Sequence, residues 1–206
     1  DRRRRDARPR ERRGPRPGIG FSTGFLHPHD NRFFFRAGHA LWSVDLHTYE
    51  LVHLWDLPEG WLPSGLSCTA DGRYVCTAVR RQLRECWPDF CDGYYSRIYR
   101  IDTANGAAAI VHEDEAFIGH VNTSPSLPGV LTFCHEGAPW RLESRIWALE
   151  LQSGRTWAVR PLTQQEGVNH EWWFPDGEYL GFMASYGENY RDTYVGYVRY
   201  DNTDCA

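Results

Sequence analysis

The sequence predicts an all-β fold, a β-propeller. Three observations carry this: an apolar strand with period-two alternation recurs along the chain, hairpin turns flank each copy, and aromatic rings are abundant while methionine is nearly absent. Copies start at Leu41, Ile98, Ile146 and, more weakly, Val195, and with their turns they repeat at roughly 41 to 57 residues, the spacing of four-stranded propeller blades. Nine Trp, eleven Tyr and ten Phe against a single Met favour pleated sheet surfaces over helices. An antiparallel sandwich is the competing architecture, and the regular spacing argues against it.

Each blade can be justified in order. The turn His29-Asp30-Asn31-Arg32 precedes Phe33-Phe34-Phe35, and Leu41-Trp42-Ser43-Val44-Asp45-Leu46 follows as the next strand. Ala70-Asp71-Gly72-Arg73 leads into Tyr74-Val75-Cys76, and Ile98 to Thr103 runs through the turn Asn105-Gly106 into Ala109-Ile110-Val111. Leu127-Pro128-Gly129 precedes Val130 to Phe133, and Ile146 to Leu151 turns at Ser153-Gly154 into Thr156 to Val159. Pro175-Asp176-Gly177-Glu178 opens the fourth unit, with Tyr179 to Phe182 and then Val195 to Tyr200. Asp-Gly and Asn-Gly pairs between alternating apolar runs are hairpin signals. The stretch Ala78 to Phe90 breaks the strand pattern and is expected to be a short helix or excursion, ended by Pro88. Its Trp87, Phe90, Tyr94 and Tyr95 either rim a binding groove or pack the insertion onto its blade.

Composition bounds the function. Residues 1–18 hold nine Arg against Asp1, Asp6 and Glu11 and lack apolar periodicity, so a disordered leader is expected. It is read as a nuclear or nucleic-acid arm or as a non-native segment, and residues 19–206 as a partial propeller. Residues 19–206 carry fourteen Arg against twenty-four acids, a poor nucleic-acid surface. No apolar run of membrane-spanning length occurs, and a cytoplasmic location is expected. All 23 basic residues are Arg, which points to coding bias and not to function. Six Cys, at 68, 76, 86, 91, 134 and 205, form no C-x-x-C pair and are expected to be mostly free thiols in a reducing compartment, with Cys86 and Cys91, five apart, as weak disulfide or metal candidates. Only four blades are visible and no closing strand follows Asp201, so a ring open at both ends is expected.

Three histidines stand in polar company: Gly119-His120-Val121-Asn122, Cys134-His135-Glu136-Gly137 and Asn169-His170-Glu171-Trp172. They are expected beside the strands, where loops carry chemistry on a rigid scaffold. No two are spaced like a single-element metal site. Taken alone, a histidine near a strand end, as His120 is, is more often a hydrogen-bonded structural residue than a base.

These segments are also what resembles a family. Gly119-His120, Phe133-Cys134-His135-Glu136-Gly137 with Trp140, Ser144-Arg145-Ile146-Trp147, and Asn169-His170-Glu171-Trp172 leading to Pro175-Asp176-Gly177 look like the central blades of the oligogalacturonate lyases. The likeness runs from about Gly20 to Gly187 and includes the insertion before Ser96-Arg97-Ile98-Tyr99; its histidines are separated by 15 and 35 residues. The resemblance implies a seven-bladed propeller that cleaves short galacturonides by β-elimination with a divalent metal, typically manganese. By position, His120 matches the base, Arg97 the catalytic arginine and His170 a metal ligand. The family's later Q-x-x-H-x-H ligands have no counterpart here, since Gln164 and Gln165 lack that spacing. The isolated chain is accordingly expected to be inactive or very weak.

The chemistry suits those residue types. A proton α to a uronate carboxylate is costly to remove unless the growing charge is neutralised, which a metal and Arg97 would do. An imidazole can then take the proton at neutral pH, with the metal and Arg97 expected to hold it neutral. His135, Glu136 and Arg145 are expected to bind sugar carboxylate and hydroxyls, Arg145 through its planar fork. A strand-edge salt bridge is the other reading of Arg145. Trp140 and Trp172 either stack on sugar rings or belong to the core. Two other functions compete: a non-catalytic propeller binding a protein or peptide, and a peptidase-associated propeller, disfavoured because no G-x-S-x-G occurs.

Overall fold

The computed structural model describes residues 24–84, 93–139, 142–160, 166–186 and 191–204, and the structural statements below concern these. They form four antiparallel sheets in which sequence neighbours pair with each other. The first blade is β1 (Phe25–Leu26), β2 (Arg32–Ala37), β3 (Ala40–Asp45) and β4 (Leu51–Asp56); the second is β5 (Leu62–Cys68), β6 (Tyr74–Gln82), β7 (Tyr94–Asp102) and β8 (Ala108–Asp114). The third is β9 (Ile118–Thr123), β10 (Val130–His135), β11 (Ile146–Glu150) and β12 (Thr156–Ala158), and the fourth is β13 (Glu166–Trp173), β14 (Tyr179–Tyr186) and β15 (Asp192–Arg199). The turns sit where their sequences place them, and no α-helix occurs among the described residues.

The core lies in three seams between successive blades. Phe34, Leu41 and Leu54 of the first blade meet Leu66, Val75, Val79 and Ile101 of the second. Cys76, Ala78 and Ile98 meet Ile118, Val121, Leu131 and Phe133. Ile146, Ala148 and Val159 meet Val168, Leu180, Phe182 and Val198. A middle blade thus buries both faces, so its strands read as nearly continuous apolar runs.

This two-sided burial overturns one expectation. The segment from Ala78 does not leave the strand pattern: β6 continues to Gln82 and pairs residue for residue with β7, Ala78 with Ile98 and Gln82 with Tyr94. Ala78 faces one seam and Val79 the other, both fully buried, and burial on two faces outweighs a weak helical preference. Residues 85–90 of the expected insertion, Trp87 and Phe90 among them, lie outside the described residues, as do the Arg-rich leader, Trp140, Gln164, Gln165, Cys91 and Cys205. Tyr94 stacks on Phe117 at 5.1 Å and Tyr95 packs against Trp61, so these two rings serve blade packing.

The first strands of neighbouring blades approach closely. A side chain at Gly65 of β5 would come within 2.3 Å of the Val121 backbone nitrogen on β9, so this crossing requires glycine. Beside it, the Ser67 and Thr123 hydroxyls hydrogen-bond across the seam at 2.7 Å. Farther along, the Trp173 indole donates to the Asn122 carbonyl at 2.9 Å, tying β13 to β9. These contacts fix β9 and β13, two of the strands on which the site is built. Cys68, Cys76 and Cys134 are buried free thiols, and burial pushes Cys68 up to about 12.

Candidate functional site

The histidines lie in strands, contrary to the expectation that they flank them. His120 is the third residue of β9, His135 ends β10, and His170 lies inside β13. Neighbouring first strands converge in a propeller, so strand positions, not only loops, bring polar groups together.

His120 is the centre of one cluster. Its Nδ1 lies 2.7 Å from Oε1 of Glu171, whose side chain is fully buried, while 44% of the His120 side chain remains accessible. A carboxylate only accepts, so Nδ1 carries the proton of the neutral ring and Nε2 keeps its lone pair. Glu136 follows β10 and comes within 4.0 Å of His120 Nε2. Arg145, buried just before β11, grips Glu136 through both terminal nitrogens at 2.7 and 3.2 Å. The Cys134 thiol also donates to Glu136 and accepts from the His120 backbone N–H. Gly119 makes the room: a Cβ there would lie 2.3 Å from Glu136 Oε1 and 2.7 Å from Cys134 Sγ.

The electrostatics follow from two carboxylates and one guanidinium around an imidazole. The hydrogen bond to Glu171 raises the His120 pKa above its ordinary value, against the opposing effect of burial, with further help from the charges of Glu171 and Glu136. Burial alone would raise the Glu136 carboxyl, but Arg145 takes it below its usual range. Burial pushes the Cys134 thiol well up, so it stays protonated. Arg97, expected to help hold the imidazole neutral, instead pairs with Glu113 at 2.6 Å and lies over the Trp61 ring. The nearest ionic partner of His120 is an acid, and its effect is opposite in sign to the one expected.

His170 occupies a β-bulge between Asn169 and Glu171, with φ at 41°. A bulge re-aims a side chain, and a positive φ is uncommon outside glycine, histidine being one of the residues that adopt it more readily. Here it leaves the imidazole exposed and lets the next residue, Glu171, turn inward. His170 makes no hydrogen bond or ion pair with the described residues. A tighter group, His120, Cys134 and Glu171, places its donor atoms within 4.8 Å of one another; the thiol donates to Glu136 and His120 Nδ1 is bonded to Glu171 Oε1, while Glu171 Oε2 is buried without a hydrogen bond. That trio is a hydrogen-bonded unit in the structure.

His135 does not join His120. Its ring turns to the other side of β10, against Phe133 and Trp147, with Nε2 3.0 Å from Asp114 Oδ2. The fork of Arg145 is occupied by Glu136, which is the ion-pair reading of that residue and not an open uronate fork. Trp172 is partly exposed on β13. Sequence reasoning passed over Glu171, Cys134 and Asp114. Glu171 had a signal, a carboxylate next to a singled-out histidine, but its contact with a residue 51 positions away is set by blade packing.

Comparison with known proteins adds relatives to this geometry. A family model described as oligogalacturonate lyase matches residues 13–201. The oligogalacturonate lyase of Dickeya dadantii (strain 3937) and the oligogalacturonide lyase of Pectobacterium atrosepticum are each 26% identical, over 81% of this chain and 46% of their own length. The chain thus spans about half the length of these relatives. A solved oligogalacturonate lyase in complex with manganese superposes with a TM-score of 0.77 at 24% identity, covering 90% of this chain and 52% of that one. One from Vibrio parahaemolyticus gives 0.79 at 22%, covering 91% and 53%. At that identity the structural matches establish the shared fold.

Proposed function

The chain belongs to the oligogalacturonate lyase family, and from that premise we propose that the protein cleaves short galacturonides by β-elimination, with His120 as the base. The observation that carries this reading is the His120–Glu171 pair. A buried carboxylate holds Nδ1–H, which fixes the ring's tautomer and orientation and leaves Nε2 on an accessible side chain. Nε2 accepts the proton α to the uronate carboxylate, and Glu171 steadies the imidazolium that forms.

Around that base the other residues take supporting parts. Glu136, partly exposed and oriented by Arg145, accepts hydrogen bonds from sugar hydroxyls, and Arg145 acts as a positioning residue through it. Arg97 receives the uronate carboxylate by exchanging Glu113, a solvent-accessible surface partner whose loss costs little. His135 has no part in this reading because its ring is committed to the Asp114 side. A divalent ion, manganese as in one structural relative, would be held in part by His170, and when bound it supplies positive charge that neutralises the uronate carboxylate. The exposed His170 imidazole, which makes no hydrogen bond or ion pair with the described residues, fits such a ligand. The Cys134 trio does not, since manganese favours oxygen donors over a buried thiol.

The test is a lyase assay on the gene product expressed between its natural ends, given digalacturonate with manganese or chelator, beside the His120→Ala variant. Chelator-sensitive formation of unsaturated uronate, reduced at least about 100-fold in a folded His120→Ala protein, is the expected result. No turnover by the folded, manganese-loaded protein would instead favour a binding propeller.

A further inference from the structure

The seam between the second and third blades holds a cluster the lyase chemistry leaves unused. His112 and Asp114 stand two residues apart on β8 and so share one face of that strand. His135 comes to them from the end of β10. Asp114 Oδ2 lies 3.0 Å from His135 Nε2 and 3.6 Å from His112 Nε2. Both nitrogens are buried, yet neither makes a hydrogen bond of acceptable geometry. Both nitrogens approach the same carboxylate oxygen, but the N–H directions do not serve it.

Two buried imidazole nitrogens that share one carboxylate oxygen in poor alignment are under-satisfied, and such groups call for a further partner. The surroundings hold the rings in place. Phe133 lies 5.1 Å from His112 and 5.6 Å from His135, and Trp147 lies 5.3 Å from His135. Each histidine side chain keeps 15% of its surface accessible, and Asp114 keeps 34%, which leaves a way in from solvent. The imidazoles, His112 first, keep the Asp114 carboxyl well below the usual carboxylate range.

We propose that His112, Asp114 and His135 form a binding site for a divalent transition-metal ion of the zinc class, joining the second blade to the third. Two imidazoles and one carboxylate are a nitrogen-rich set that suits zinc, cobalt or nickel better than manganese. Ligands about 2.0–2.2 Å from a tetrahedral ion stand roughly 3.3 Å from each other. The two observed separations, 3.0 and 3.6 Å, bracket that value. Loading needs the rings to turn from the carboxylate toward a common centre, and the fourth position is left for water. Among the described residues none of the three bonds to His120 or Glu171, and although His135 stands between Cys134 and Glu136 its ring takes the other side of β10, so the site does not rest on the lyase reading.

The experiment titrates zinc alone into the chelator-stripped protein by calorimetry, and cobalt by visible absorption, for wild type, His112→Ala, His112→Gln and His170→Ala. The expected result is one zinc per chain, visible cobalt bands of low coordination number, affinity lowered at least about tenfold in both His112 variants, and no change in His170→Ala. Circular dichroism identifies any variant that fails to fold, and His112→Gln keeps the side-chain volume for that case. Absence of zinc binding, equal affinity in a folded His112 variant, or loss of binding in His170→Ala would each overturn the proposal. Failure of the lyase assay leaves these outcomes unaffected, so the two readings fail separately.

Discussion

Glu171 is the residue through which burial controls the chemistry of His120. Replacing it by Gln removes the strongest influence that raises the imidazole pKa. In the wild type a His120-dependent rate rises with pH through a value above the ordinary imidazole one, because only the neutral ring accepts a proton. In Glu171→Gln that acidic limb moves to lower pH while the plateau rate falls, as the ring loses its fixed tautomer; kcat/KM measured across pH reports both. An unshifted limb would show that Glu171 does not act on the base. At Gly119 the expectation is steric. Gly119→Ala sets a methyl group 2.3 Å from Glu136 Oε1, expelling that carboxylate from the grip of Arg145, and should lower both the thermal midpoint and the lyase rate.

At the scale of elements, β6 is the strand whose sequence and structure differ most. Ala-Val-Arg-Arg-Gln reads locally as a helical start, yet the seams on either side claim Ala78 and Val79 separately. Val79→Ala opens a cavity in a fully buried position and should cost about 2 kcal/mol in urea unfolding, whereas a surface helix would lose almost nothing. The hairpins were legible because Asp-Gly and Asn-Gly turns have a local cause, the need for positive φ at their glycines, which Gly72, Gly106 and Gly177 show. The bulge at His170 was not legible: its reason is the need to turn Glu171 inward toward a strand of the neighbouring blade, and nothing within β13 announces that.

For the whole molecule, the cluster that joins β9, β10 and β13 makes stability depend on pH in two opposite ways. The raised His120 pKa gives a contribution complete below the ordinary imidazole value and lost as pH rises through the raised one. The lowered Glu136 pKa gives a contribution present above the usual carboxyl value and lost as pH falls through the lowered one. Urea midpoints should therefore fall on both sides of a mildly acidic maximum, and Glu171→Gln should flatten the alkaline side. The sequence by itself determined the all-β class, the four repeating units, their turns and the segments carrying the polar histidines, because period-two alternation and turn chemistry are local. Only the tertiary structure decided that His120 meets Glu171 and that His135 turns to Asp114 instead. It also decided that Arg145 grips Glu136. Those pairings depend on how blades stack and which face of a strand each side chain takes, and the stacking comes from apolar seams whose partners lie dozens of residues apart.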